Sequence, residues 1–146
     1  MTETEMDQVL ASALTKASTP FDAPSFQDWQ RLVVKFRCKF DEDFKIFMTL
    51  MSKYRCPGDL LNVSSGRTDG NDSIELAFDL EAESPNWDQN MIPFYAIGNG
   101  DYFCLSREEC PLSKVYYCYA ERNTFEPYSG SFADWVKDLP RFLRTS

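Results

Sequence analysis

A chain of 146 residues with 43% hydrophobic and 15% aromatic side chains is long enough to bury about 70% of the surface its unfolded form exposes, which argues for one globular domain and against disorder or dependence on disulfide staples. Fifteen lysines and arginines against 23 acidic residues leave a formal charge of -8, which disfavours nucleic acid, whose phosphates need a basic footprint, and favours a basic partner. With no histidine, the usual general base, metal ligand and triad partner are missing, so Ser–His and Cys–His catalysis are excluded.

Residues 1–24 read as an N-terminal arm. Met6, Val9, Leu10 and Leu14 form one weak apolar stripe, and STPFDAPS, with its two prolines, is a connector. The opening MTETEMDQ is acidic where a secretory signal is basic and then apolar. The longest apolar run, residues 91–97, is far shorter than the roughly 18 residues a membrane-spanning helix needs. A cytoplasmic protein without membrane contact is expected, and the glycosylation triplets at 62–64 and 71–73 then carry no meaning.

A single domain is expected over residues 25–146. Ser25 with Asp28 starts a helix whose stripe is Trp29, Leu32, Val33 and Phe36. Arg31, Lys35 and Lys39 recur every fourth residue on another face and read as a solvated stripe. Asp41 caps a second helix carrying Phe44, Phe47, Met48 and Met51, which ends before Pro57 and Gly58. DLLNV, residues 59–63, suits a short strand, and SSGRTDGND is a polar loop.

The stretch SIELAFDLEAE, from Ser73, satisfies two periods. Ile74, Leu76, Phe78 and Leu80 alternate like a strand, while Ile74, Ala77 and Phe78 behind an Asp72 cap suit a helix. It lies in the most acidic part of the chain, residues 69–88, which hold seven acidic side chains and no lysine or arginine. Asp69, Asp72, Glu75 and Asp79 are therefore candidates to meet a basic partner. Asp69, Asn71 and Ser73 alternate like the start of a calcium loop, but Ile74 stands at the sharp-turn glycine and Leu80 at the bidentate glutamate, so no metal is expected.

From Met91 onward IPFYAI, DYFCLS, KVYYCYA and TFEPY read as an antiparallel meander. Ser131 then caps a helix with Phe132, Trp135, Val136 and Leu139 on one face and Asp134 as capping partner. Gly98-Asn99-Gly100 contains G-x-G, yet Phe103 occupies the place of the third glycine and a strand follows instead of a helix. A β-hairpin corner built on a primed turn is expected there, with no nucleotide or other cofactor. As an exposed loop tip, it makes Asn99, Asp101 and Tyr102 further candidates for contact with a partner.

The five cysteines, at 38, 56, 104, 110 and 118, include no C-x-x-C pair and fit free thiols in a reducing compartment. Cys104 and Cys118 lie in expected strands and read as small hydrophobes. Catalysis by a carboxylate pair, as in a hydrolase, stays open in a chain this acidic, and it requires a closed pocket with two acids at catalytic separation.

The order Trp87, Ile92-Pro93-Phe94, GNGDYFCLS, KVYYCYAE and SFADWVKDL resembles the SUKH superfamily, which includes fungal cell-wall-assembly (glucan synthesis) regulators and bacterial toxin-immunity proteins. The likeness runs over residues 31 to 143 and is strongest from Trp87 to Leu139. It implies an α+β domain, with helices packed against a mostly antiparallel β-meander sheet and a C-terminal helix. It tips residues 73–83 toward helix, matches Gly100 and Asp101 to the family's turn, and makes Trp87, Pro93 and Trp135 core landmarks. Lys39-Phe40 stands where many relatives carry a proline, and Ser106 where they carry an aspartate. The function implied is non-catalytic protein binding, as an immunity protein that neutralises a basic toxin domain such as a nuclease. A scaffold for cell-wall assembly is the alternative, and a carboxylate-based hydrolase is the reading from a different class.

Overall fold

The structure, a computed structural model, describes residues 1–20, 22–55, 59–63 and 73–145. Helix α1, Glu3–Ala13, opens on a reciprocal cap in which Thr2 accepts from the Glu5 N–H and Glu5 reaches back to the Thr2 N–H. Its Met6 and Leu10 are fully buried, and Val9 and Leu14 pack partly against the same core. The helix lies on the last helix of the chain and on the third. Strand β1, Thr15–Lys16, then pairs antiparallel with β2, Tyr54–Arg55. The expected arm is thus packed into the domain, because its four apolar side chains find a surface to cover.

Helix α2, Phe26–Phe36, has the Ser25 and Asp28 capping box in full and ends at Arg37, whose left-handed backbone (φ 54) turns the chain. Helix α3, Glu42–Leu50, is capped by Asp41 and runs into a 3-10 turn, Met51–Lys53. It buries Phe44, Phe47 and Met48, and Met51 is buried in the turn that follows. Strand β3, Asp59–Leu60, is the edge of the main sheet.

Helix α4, Ile74–Ala82, resolves the two-period segment. Ser73 caps it by accepting from the Leu76 N–H at 3.0 Å, and one face buries Ile74, Ala77 and Phe78. Leu76 and Leu80, which the strand pattern needed inside, are 47% and 54% exposed. The cap falls on Ser73, while Asp72 lies outside the described residues.

Strands β4 (Met91–Ala96), β5 (Tyr102–Ser106), β6 (Val115–Tyr119) and β7 (Thr124–Ser129) follow in sequence. With β3 they form one antiparallel sheet in the order β3-β4-β5-β6-β7. Pro93 lacks an N–H yet sits in an inner strand. It is tolerated because β3 pairs only with Tyr95 and Ala96, and the β4–β5 register slips between Pro93 and Tyr95.

Helix α5, Phe132–Thr145, closes the fold, with Ser131 Oγ accepting from the Asp134 N–H at 3.1 Å. Its Trp135 ring lies 5.0 Å from Phe94 and 5.4 Å from each of Phe47, Phe103 and Phe132, mostly edge to face. Helices and sheet thus share one aromatic core. Trp87 and Pro93 are buried as well, Trp87 against Phe125 at 5.0 Å. The architecture is α+β, with helices packed on an antiparallel meander and a C-terminal helix.

Candidate protein-binding surface

The stripes of α2 and α4 meet. Arg31 Nε donates to Glu75 Oε1 at 2.8 Å, Arg31 Nη1 to Asp28 Oδ1 at 2.9 Å and Arg31 Nη2 to the Val63 carbonyl at 2.9 Å. One turn on, Lys35 Nζ meets Asp79 Oδ1 at 2.5 Å. Arg31 and Lys35 are four residues apart, and so are Glu75 and Asp79, so two helices side by side bring both pairs into register. The basic residues expected as a solvated stripe, and two of the four acids expected to face a partner, offset one another within the chain.

The hairpin corner is built otherwise than a two-residue primed turn. Positive φ falls on Gly98 (101°) and Gly100 (97°), with Asn99 outside that region. The loop over residues 97–101 is closed by the Ile97 N–H donating to the Asp101 carbonyl at 3.0 Å, and Asn99 Oδ1 accepts from the Asp101 N–H at 2.9 Å. This Asx-type bond lets the asparagine organise the loop from a backbone region any residue adopts.

Asp101 ties that corner to the next one. Its Oδ1 accepts from the Ala120 N–H at 2.8 Å and its Oδ2 from the Tyr117 hydroxyl at 2.7 Å. Burial, followed by this bond, pushes the Tyr117 hydroxyl up to about 12. Tyr102 packs edge to face on Trp87 and its hydroxyl contacts Glu81 Oε1 at 3.4 Å. Asn99 and Asp101 also line a shallow groove of about 210 Å3 with Tyr119, Ala120, Glu121 and Arg122, between the two hairpin tips.

The C-terminal end of α4 reaches the same place. Asn123 donates to Ser84 Oγ at 3.4 Å, linking the β6–β7 turn to the segment after α4. The charges of Glu81 and Asp101 both bear on Cys118, and those of Glu126 and Asp101 both bear on Tyr119. Glu83, Glu121 and Glu126 are exposed there. Among the described residues, Glu81, Glu83, Asp101, Glu121 and Glu126 form no salt bridge, and Arg122 is the cation in the groove.

The structure thus brings Asn99, Asp101 and Tyr102 together and separates them from Glu75 and Asp79, while Asp69 and Asp72 lie outside the described residues. Glu81, Glu121 and Glu126 were not singled out from the sequence. The matching four-residue spacing of Arg31 with Lys35 and of Glu75 with Asp79 was the available signal that the first half of α4 would be neutralised, leaving its end. Ser73 and Leu80 of the apparent calcium pattern belong to the cap and the exposed face of α4, and among the described residues no group of three metal-ligating side chains converges. Among the described residues no helix is long and apolar enough to cross a membrane.

Helices packed on a five-stranded antiparallel sheet, with carboxylates gathered at its hairpin end, define an α+β domain. The family model described as SMI1-KNR4 cell-wall matches residues 6–142, and the chain belongs to that SUKH family. The match begins within α1, so the N-terminal helix is part of what the family model covers. The fold is similar to the crystal structure of a protein from Pseudomonas syringae pv. tomato, with a TM-score of 0.67 over 93% of this chain and 96% of that one, at 16% identity. At that identity the likeness is one of fold. No curated protein matches the sequence.

Proposed function

We propose that this SUKH domain is a non-catalytic, cytoplasmic protein-binding module, an immunity protein that neutralises a basic toxin domain such as a nuclease. The observation that carries the reading is the cluster of carboxylates at the hairpin end, where Glu81, Glu83, Glu121 and Glu126 surround the Asp101 corner. Carboxylates fixed at the end of α4, in the β6–β7 turn and on β7 can occupy the positions that phosphates take on a nuclease. Asn99 supplies the polar tip of the surface, and Asp101 and Tyr102 give it shape. Asp69 and Asp72 belong to the same acidic segment and are assigned to the same partner, whereas Arg31 and Lys35 offset the charge of Glu75 and Asp79.

Two grooves, both lined by described residues, favour binding over hydrolysis. In the one at the hairpin end Asp101 already accepts two hydrogen bonds. In the one between the α2–α3 connector and the β5–β6 loop, Asp41 caps α3 and Glu42 lies 3.6 Å from Lys45. A carboxylate committed to a cap or a turn is a poor general acid.

The test is capture from the native organism, with the products of neighbouring reading frames included, followed by association kinetics with the captured protein. A basic toxin whose association slows about tenfold on raising salt, and again on changing Glu81, Glu83 and Glu121 to lysine, is the expected result. A partner whose association ignores both removes the electrostatic basis of the reading. The family description as cell-wall favours a second reading, a scaffold in cell-wall assembly. Capture of wall-synthesis proteins in place of a toxin would select it.

A further inference from the structure

The outward side of the α2 and α4 layer is apolar in a way that partner binding through the acidic end does not explain. Among the described residues the exposed large hydrophobic side chains are Phe26, Val34, Leu76, Leu80 and Leu112, and four of these five stand on α2 or α4. Single exposed hydrophobics are ordinary, but three of these share one side. Val34, 73% exposed, is two residues from each of Leu32 and Phe36, which are fully buried, so the helical repeat points it away from the core. Leu76 and Leu80 stand two residues either side of buried Phe78 and point outward for the same reason.

The ion pairs fix how these side chains are levelled. Arg31 meets Glu75 and Lys35 meets Asp79, each across a separation of 44 residues, so α2 and α4 run side by side in the same direction without slipping. On that register Val34 is level with Phe78, midway between Leu76 and Leu80, and about 3 Å along the helix axis from each. The two leucines therefore leave a gap on α4 at the height where Val34 projects from α2.

The charges on this side are sorted by helix. Arg31 and Lys35 stand on α2, whose one acid, Asp28, is 4% exposed, while α4 carries Glu75 and Asp79 and no lysine or arginine. All four of the paired side chains remain partly open to solvent. A two-fold axis lying across the helices would set α2 on the α2 of a second copy, cation against cation, and α4 on α4, acid against acid. An axis parallel to the helices sets α2 of each copy on α4 of the other and opposes unlike charges throughout. It also keeps the levels, so that Val34 of one copy enters between Leu76 and Leu80 of the other, and the contact is made twice. We propose that this side of the α2 and α4 layer is an isologous dimer surface whose partner is a second copy of this chain. It uses none of the residues of the hairpin-end groove. Two helices of 11 and 9 residues make a small interface, so a Kd of about 10–100 μM is expected.

Sedimentation equilibrium of the full chain, from about 1 μM to about 1 mM, should show a reversible monomer–dimer equilibrium. Val34→Glu sets an acid against the acidic helix of the other copy and should weaken the dimer at least about tenfold, while Val34→Ile should retain it. Circular dichroism confirms that both variants, changed at an exposed position, are folded. Geometry is read separately: equal amounts of Val34→Cys and Leu80→Cys chains are mixed, oxidised and mapped by mass spectrometry without reduction. The expected product is a peptide pair joined from position 34 to position 80. A pair joined from 34 to 34 in Val34→Cys alone would mean that α2 meets α2 and would overturn the proposal. So would a monomer at about 1 mM, a dimer indifferent to Val34→Glu, or assembly beyond the dimer.

Discussion

The Arg31 guanidinium reaches the Glu75 carboxylate at 2.8 Å and, with its remaining nitrogens, holds Asp28 and the Val63 carbonyl at 2.9 Å each. One side chain so joins the α2 cap, α4 and the segment after β3. Asp28 is nearly enclosed and also accepts from the Ser25 N–H at 2.9 Å, so the arginine balances a buried charge as well as a surface one. A double-mutant cycle on Arg31→Ala and Glu75→Ala should return a coupling of about 0.5–1 kcal/mol. The cycle on Lys35 and Asp79, whose carboxylate is 56% exposed, should return about 0.2–0.5 kcal/mol. Urea unfolding at low and high salt measures both, and the second coupling should fade more with salt.

Helix α1 contributes to the core through Met6 and Leu10, both fully buried. Leu10→Ala should destabilise the domain by about 2–5 kcal/mol, in the range for truncating a core leucine. Removal of residues 1–16 should lower stability at least as much, since it also takes away β1 and uncovers α5. A shift in urea midpoint with unchanged slope is the expected reading, and no shift for Leu10→Ala would mean that α1 does not dock.

The glycines of the corner differ in what surrounds them. A Cβ added at Gly98 meets nothing within 4 Å, so Gly98→Ala faces only the strain of its φ, on the order of 1–3 kcal/mol. At Gly100 the same strain is joined by an approach of 3.2 Å to the Ala120 Cβ. Gly100→Ala should therefore cost more than Gly98→Ala, and adding Ala120→Gly should recover part of the difference. Thermal melts of the three variants decide it.

The pH profile of stability should have a plateau and two falling limbs. Tyr54, Tyr116, Tyr117 and Tyr128 are each pushed up to about 12, first by burial and then by a carboxylate that accepts the hydroxyl. The unfolded chain releases these protons near pH 10, so their contribution is complete below pH 10 and is lost as pH rises through about 12. Asp7 and Asp138 are held below the ordinary carboxylate value, Asp7 first by the Tyr54 hydroxyl and Asp138 first by Arg141. Their contribution is present above pH 3.8 and is lost as pH falls below it. Tyr54→Phe removes the leading partner of Asp7 and one raised phenol together, so urea midpoints should show both limbs flattened.

Much of the fold is legible in short stretches. Ser25, Asp41 and Ser131 cap the helices they precede, the four meander strands fall where alternating aromatic runs stand, and the turn sits on Gly98 and Gly100. Each of these depends on neighbours within about four residues, through a cap, a rotamer preference or a permitted φ. The segment after Ser73 satisfied two periods and needed the packed core to choose, because Leu76 and Leu80 fit a buried strand face as well as an exposed helix face.

By itself the sequence determined most of the elements and their order, the family resemblance and the surplus of negative charge, while residues 73–83 stayed between helix and strand. Tertiary structure alone decided which acids that charge leaves outward and that α1 joins the core. Arg31 and Glu75 are 44 residues apart in the chain, and what brings them together is the placement of two helices on a shared aromatic core. An ion pair of that kind is a property of how elements are set against each other, which no local pattern along the chain encodes.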